Sequence, residues 1–144
     1  MFLICGLGNP GKEYINTRHN IGFALIDKLI NFYNFVPFKK DSKKEIFKGF
    51  INNDSCFLLK PLNFMNLSGK PIRDVMSFYK IEKNKLFIIH DDLDLELGKV
   101  KVKLGGGNAG HNGLSSIDEM IGNDYYRIRI GIDHPGEKHL VSNY

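Results

Sequence analysis

The chain has 144 residues, of which 42% are hydrophobic and 25% charged, and its formal net charge at pH 7 is +4. This length suits one domain with its own core, and the composition excludes a low-complexity or disulfide-dependent chain. No apolar run approaches the roughly 18 residues of a membrane span, and the N-terminus lacks the pattern of an export signal. Cys5 and Cys56 lie in apolar runs and are interpreted as buried thiols, so we expect a cytoplasmic protein that does not contact membranes.

The first predicted element is a buried strand over residues 2–7, followed by a polar, glycine-rich loop. The loop glycines match the G-x-G-x-x-G spacing of dinucleotide-binding turns. However, Pro10 interrupts the motif, and residues 12–18 lack the helical period that would place a helix N-terminus against a pyrophosphate. The loop instead carries many polar side chains, among them Asn9, Tyr14, Arg18 and His19, so we interpret it as an active-site loop.

The next segments predict a helix and a hairpin. Apolar residues at helical spacing indicate a helix from about Asn20 to Asn34, with Asn20 as its N-cap. The lysines within residues 39–44 are interpreted as a solvated loop, with a phosphate contact as the alternative. Residues 45–51 and 56–60 are β-prone and flank an Asn-Asn-Asp-Ser turn, which predicts a hairpin and therefore a mixed sheet.

The second half alternates helices and strands. A helix is predicted from a Ser68 N-cap to about Tyr79, with a core face of Val75, Met76 and Phe78. A buried strand over 85–90 leads into an acidic cluster at 91–94, and a glycine-rich loop over 105–113 precedes a helix over 114–121. The last predicted strand, 126–132, carries Arg127 and Arg129 on one face.

The segment 99–104 alternates lysines with apolar residues, which predicts a strand with one cationic and one core face. The core face is predicted to consist of Val100, Val102 and Leu104. Two interpretations of the lysine face stand equally: a lysine-protected edge strand or a phosphate-binding ridge.

Four polar loops, at 8–20, 63–69, 90–94 and 105–113, follow strands or open helices and can converge at one edge of the sheet. They contain no Gly-x-Ser-x-Gly elbow and no reactive-looking cysteine. Their asparagines, a histidine and a carboxylate favour water activated by a base: His19 paired with Asp91, with amide donors stabilising a developing oxyanion.

Four ordered motifs then carry a family resemblance. They are Gly6-Leu-Gly-Asn-Pro-Gly with Tyr14 and Thr17-Arg-His-Asn20, Phe64-Met-Asn-Leu-Ser-Gly69, His90-Asp-Asp-Leu-Asp94, and Gly105-Gly-Gly-Asn-Ala-Gly-His-Asn-Gly-Leu114. Together they resemble the bacterial peptidyl-tRNA hydrolase family. The resemblance implies a single α/β domain with a twisted, mixed, mostly parallel sheet flanked by helices on both faces. It also implies hydrolysis of the ester joining a peptide to the terminal ribose of tRNA, with no metal or organic cofactor.

The resemblance also assigns roles residue by residue. His19 matches the catalytic base and Asp91 its carboxylate partner. Asn9, Asn66 and Asn112 match the substrate-positioning asparagines, and Tyr14 matches the tyrosine that contacts the tRNA end. His111, which lies beside Asn112 at the positive end of the predicted helix, is also expected to bind substrate. Lys103 and Arg129 match basic residues that grip tRNA phosphate, in agreement with the cationic strand face.

The sequence departs from the family in one respect. Family members continue past the segment matching residues 140–144 into helices that cover one side of the sheet and help form a lid. We treat 1–144 as one catalytic domain, either naturally short or truncated at its C-terminus, and expect a monomer that binds tRNA. Two alternatives remain: an RNA- or nucleotide-binding module without catalysis, and a metal hydrolase using His19, His90, His111 and the acids at 91–94.

Overall fold

A computed structural model describes residues 1–9 and 20–132 of the chain, and of Asn66 only the backbone. The helices and strands of the described ranges are, in chain order, β1 (Phe2–Gly6), α1 (Ile21–Tyr33), β2 (Val36–Lys40), β3 (Lys44–Ile51), β4 (Asp54–Pro61), α2 (Gly69–Tyr79), β5 (Leu86–Asp92), β6 (Val100–Leu104), α3 (Asn112–Ile121) and β7 (Tyr126–Gly131). Within these ranges, no helix has the length and apolar character needed to cross a membrane.

The strands form one sheet in the order β2-β3-β4-β1-β5-β7-β6. The four central strands, β4, β1, β5 and β7, pair in parallel, while β2, β3 and β6 join through antiparallel pairs. The predicted mixed α/β sheet is therefore confirmed. Because the central strands share one direction, the segments that follow β1, β4 and β5 emerge at the same edge of the sheet.

Helices cover both faces of this sheet, as predicted. On one face, α1 packs through Ile26 onto a core that includes Leu58 and Ile89. On the other face, α2 and α3 pack on a larger core. Its buried members include Leu3, Leu7, Leu59, Ile72, Val75, Ile88, Leu114 and Ile117.

The glycines at the end of β1 serve close packing. A Cβ atom at Gly6 would lie 2.3 Å from the carbonyl oxygen of Gly22 in α1, and one at Gly22 would lie 2.4 Å from that of Leu7. Such distances leave no room for a side chain, so α1 can lie against the end of β1 only with glycine at both positions. The first glycine of the G-x-G-x-x-G spacing is thus required by strand–helix packing.

The predicted hairpin is confirmed between β3 and β4. Its two-residue turn, Asn52-Asn53, has positive φ angles of 49° and 73°, as a type I′ turn requires. The predicted loop at 39–44 is wrong at both ends, because Lys39 and Lys40 belong to the edge strand β2 and Lys44 begins β3. All five residues of β2 are exposed, and the strand contains Pro37 and two lysines, which are residue types typical of an edge strand rather than of a buried one.

Two predicted core assignments are also wrong. Val100, Val102 and Leu104 of β6 are 58–64% exposed, and Phe78 of α2 is 72% exposed. The described helix on the face of the sheet that carries these three β6 side chains is α1. It packs against β1, β3, β4 and β5, whereas β6 is the outermost strand at the other end of the sheet. Alternation identified the two faces of β6 correctly but could not tell whether another element covers the apolar one.

Candidate active site

An open cleft of about 530 Å³ lies at the carboxyl edge of the sheet, beyond β5. Its walls are the end of β5, the glycine-rich segment 105–110, the start of α3 and the basic residues of β6 and β7. Five residues predicted from the sequence line it: Asp91, Lys103, His111, Asn112 and Arg129. The predicted convergence of the 90–94 and 105–113 loops is therefore observed.

Asp91 occupies the sixth position of β5 and is only 2% exposed. Its Oδ1 accepts a hydrogen bond of 2.7 Å from Nε2 of His111. A carboxylate removed from water in this way requires such donors, because an unpaired buried charge is costly. The strand therefore places a carboxyl group at the cleft, and α3 supplies a donor that holds it.

His111 is bonded at both ring nitrogens and forms the N-cap of α3. Its Nδ1 accepts hydrogen bonds from the backbone N–H groups of Gly113 and Leu114 at 3.1 and 3.3 Å. Because Nδ1 accepts, the ring proton of the neutral imidazole lies on Nε2 and points to Asp91. In this tautomer the ring has no free nitrogen with which to remove a proton from water.

His90 precedes Asp91 and is 4% exposed. Its Nδ1 lies 2.7 Å from the carbonyl oxygen of Asp91, which can only accept, so Nδ1 carries the proton. Burial, reinforced by the nearby His111, lowers the pKa of His90 to about 4. His90 is therefore neutral at pH 7, and its ring packs edge-on against that of His111.

A second cluster joins the end of β1 to the start of α1 and to the segment after β4. The N–H of Asn9 donates to Oδ1 of Asn20, and Nδ2 of Asn20 donates to the carbonyl oxygen of Asn9, each at 2.8 Å. Oδ1 of Asn9 accepts from the N–H of Met65 at 2.7 Å. The side chain of Asn20 makes no hydrogen bond to the first turn of α1, so the predicted N-cap interaction is wrong.

The predicted N-cap interaction of Ser68 with α2 is not observed either. Ser68 donates its hydroxyl to the carbonyl oxygen of Met65, whereas the N–H of Gly69 donates to Oγ of Ser116 in α3. A Cβ atom at Gly69 would lie 2.3 Å from the carbonyl oxygen of Ser116, so the two helices touch here through backbone. This contact brings the 63–69 segment to the helix that opens at His111.

The basic residues of the cleft are not equivalent. Lys103 is exposed, whereas Nε of Arg129 donates to Oδ2 of Asp92 at 2.7 Å. Arg127 is 2% exposed, and its Nη1 donates to the carbonyl oxygen of Gly107 at 2.6 Å, which anchors the glycine-rich segment. Sequence reasoning missed this role of Arg127, because the alternation of the strand does not distinguish a buried arginine from a solvated one.

Several predicted site residues stay predictions. His19 and Tyr14 lie outside the described residues, and the side chain of Asn66 is not described either. Asn112 is the first residue of α3 and is exposed at the cleft. Among the described residues, no group of three or more His, Cys, Asp and Glu side chains has the arrangement needed to hold a metal ion.

Comparison with known proteins places the chain in a family. The family model described as peptidyl-tRNA hydrolase matches residues 3–144. The chain is 51% identical to a peptidyl-tRNA hydrolase of Bartonella quintana and 49% identical to one of Wolbachia pipientis, covering all of this chain and 75% and 79% of those proteins. The crystal structure of peptidyl-tRNA hydrolase from Acinetobacter baumannii superposes with a TM-score of 0.92 at 42% identity, over 99% of this chain and 73% of that one. The chain belongs to the peptidyl-tRNA hydrolase family.

Proposed function

We propose that this chain hydrolyses the ester bond between the peptide and the terminal ribose of peptidyl-tRNA, releasing the tRNA for reuse. The observation that carries the proposal is the buried carboxyl group of Asp91, held by His111 at an open cleft that basic side chains also line. Family membership over residues 3–144 supports the same reaction. Hydrolysis of an ester at such a site needs a base for water, donors for the oxyanion and cations for the tRNA.

His19 is proposed as the base. It removes a proton from water while the water oxygen attacks the ester carbonyl carbon, and the imidazolium then returns the proton to the departing ribose oxygen. Asp91 is proposed to fix the tautomer of His19 and to stabilise its protonated form. The burial of Asp91 supports this role, because a carboxylate at the end of a rigid strand interacts more strongly in a poorly solvated site.

Asn9, Asn66 and Asn112 are proposed to position the substrate. In Asn9 the amide oxygen is already occupied by the Met65 N–H, so the group left to face a substrate is the Nδ2 donor. A neutral donor of this kind suits the carbonyl oxygen that becomes an oxyanion in the transition state. Tyr14 is proposed to contact the tRNA end, while Lys103 and Arg129 bind tRNA phosphate.

An assay of ester cleavage on N-blocked aminoacyl-tRNA, with a chelator present, tests the proposal. We expect wild-type cleavage, loss of turnover with nearly intact tRNA binding in His19→Ala, and a smaller loss in Asp91→Asn. Binding without cleavage by the wild type would favour the RNA-binding alternative. Activity that is lost with chelator and restored by zinc would favour the metal hydrolase.

The proposal extends to a monomeric, cytoplasmic protein that needs no cofactor. The support for its location is the substrate, which is made by translation. The support for the monomer is the family resemblance alone, and the molecular mass in solution, measured by sedimentation, tests it directly.

A further inference from the structure

We propose that Asn20 is a positioning residue for hydrolysis: its side-chain amide holds the peptide groups of Asn9 so that the Asn9 side chain presents Nδ2 to the substrate. The inference rests on the proposed function, because it concerns the same site. It adds a residue to which neither the sequence motifs nor the comparisons give a role beyond that of a helix cap.

The contact between Asn20 and Asn9 is bidentate and uses both polar atoms of the Asn20 side chain. Oδ1 of Asn20 accepts the Asn9 N–H and Nδ2 donates to the Asn9 carbonyl oxygen, each at 2.8 Å. A carboxamide thus pairs with one residue of backbone as a neighbouring strand would. Aspartate lacks the donor, serine offers a single atom, and glutamine is one methylene longer, so asparagine is the residue type that fits.

A second contact, with Met65, holds the side chain of Asn9. The Met65 N–H donates to Oδ1 of Asn9 at 2.7 Å, which fixes which end of the amide is oxygen. Within the described part of the chain, Nδ2 of Asn9 has no recorded hydrogen-bond partner, and Asn9 is partly exposed. With its backbone held by Asn20 and its oxygen held by Met65, Asn9 has one remaining polar group, and that group is a donor.

The position of Asn20 argues against a purely structural role. It stands at the N-cap of α1, where an asparagine normally binds the N–H groups of the first turn, yet it makes no such bond. Its side chain is instead buried, at 4% exposure, and bonds to Asn9, three residues beyond the end of β1. The amide of Asn20 therefore binds Asn9, which lies eleven residues earlier in the chain, and does not cap its own helix.

The test uses Asn20→Asp in the full chain. Aspartate keeps an acceptor for the Asn9 N–H and is as good an N-cap as asparagine, but it loses the donor and places a charge against the Asn9 carbonyl oxygen. We expect kcat on N-blocked aminoacyl-tRNA to fall about tenfold or more, with little change in KM, because the donor of Asn9 acts on the developing oxyanion. The thermal midpoint should fall as well, because the charge is buried, so kcat is compared at a temperature at which both proteins are fully folded. The matched control is Asn31→Asp, the same substitution on the exposed face of α1, which should change none of these quantities.

A double-mutant cycle with Asn9→Ala separates positioning from other effects. If Asn20 acts through the Asn9 side chain, Asn20→Asp should lower kcat much less in the Asn9→Ala background than in the wild type. An equal fall in both backgrounds, or a wild-type kcat for Asn20→Asp, would overturn the inference.

A readout independent of turnover distinguishes this inference from the proposed function. In nuclear magnetic resonance spectra, the side-chain amide signals of Asn9 should shift in Asn20→Asp and stay unchanged in Asn31→Asp. Unshifted signals would overturn the inference. If the signals shift in Asn20→Asp alone but the wild-type chain cleaves no ester, the proposed function is overturned and the restraint on Asn9 stands.

Discussion

His111 donates its Nε2–H to Oδ1 of Asp91 over 2.7 Å while its Nδ1 accepts two N–H groups of the first turn of α3. One imidazole therefore joins the start of a helix to the carboxylate at the end of β5. Nδ1 can accept these two N–H groups only when it carries no proton. The cap of α3 therefore keeps the ring proton on Nε2, where it faces Asp91. His111, predicted as a substrate-binding residue, holds Asp91 directly.

Substitution of His111 by asparagine should separate its two roles. Asparagine caps helices well but is too short to reach Asp91, whereas alanine does neither. We expect His111→Asn to be more stable than His111→Ala by about 1 kcal/mol, the value of the cap, and both to be less stable than the wild type because Asp91 loses a donor. Both variants should lose kcat to a similar extent, because both leave Asp91 without this donor. Urea unfolding and single-turnover cleavage measure the two effects, and a wild-type kcat in His111→Asn would contradict the role in holding Asp91.

Lys103 and Arg129 should contribute unequally to tRNA binding. Lys103 is exposed, but Arg129 already donates to Asp92 at 2.7 Å. We expect Lys103→Ala to weaken tRNA binding and to reduce the slope of log affinity against log salt by about 1, and Arg129→Ala to change the slope less. Lys28→Ala, an exposed lysine of α1, is the control and should leave the slope unchanged. An unchanged slope for Lys103→Ala would leave Lys103 with the role of protecting an edge strand.

The parts of the fold that the sequence predicts correctly are those coded by local pattern. The period of apolar residues gives α1 and α2, and the Asn52-Asn53 turn gives the hairpin, because each depends on neighbours in the chain. The exposed apolar face of β6 was predicted wrongly, since alternation says nothing about which element lies over a strand.

The sequence also predicts which segments meet at the candidate site. Strand ends in an α/β sheet converge, so Asp91 and the glycine-rich segment could be placed together from the sequence. The contacts that hold them could not, because they join residues far apart in the chain. Met65 binds Asn9 across 56 residues, and His111 binds Asp91 across 20.

Arg127 should be a large contributor to stability. It is 2% exposed, bonds to Gly107 and to Asp118, and its guanidinium lies 4.8 Å from the ring centre of Tyr125. We expect Arg127→Met to lower the free energy of unfolding by about 3 kcal/mol, because it leaves a partly buried carboxylate without its cation. Arg73→Met removes an exposed ion pair with Asp74 and should cost less than about 1 kcal/mol. Equal urea midpoints for the two variants would contradict this role of Arg127.

His90 should make stability depend on pH in a defined window. Burial, with the nearby His111, lowers the pKa of His90 from 6.5 to about 4, so the unfolded chain takes up a proton at a higher pH than the folded protein. The contribution of His90 to the free energy of unfolding is therefore complete above pH 6.5 and falls by about 3 kcal/mol as the pH falls to 4. His90→Asn keeps a donor for the Asp91 carbonyl oxygen and has no proton to gain, so urea unfolding of this variant should lack that part of the decline. Because the other histidines are common to both proteins, parallel curves for the variant and the wild type would contradict the assignment.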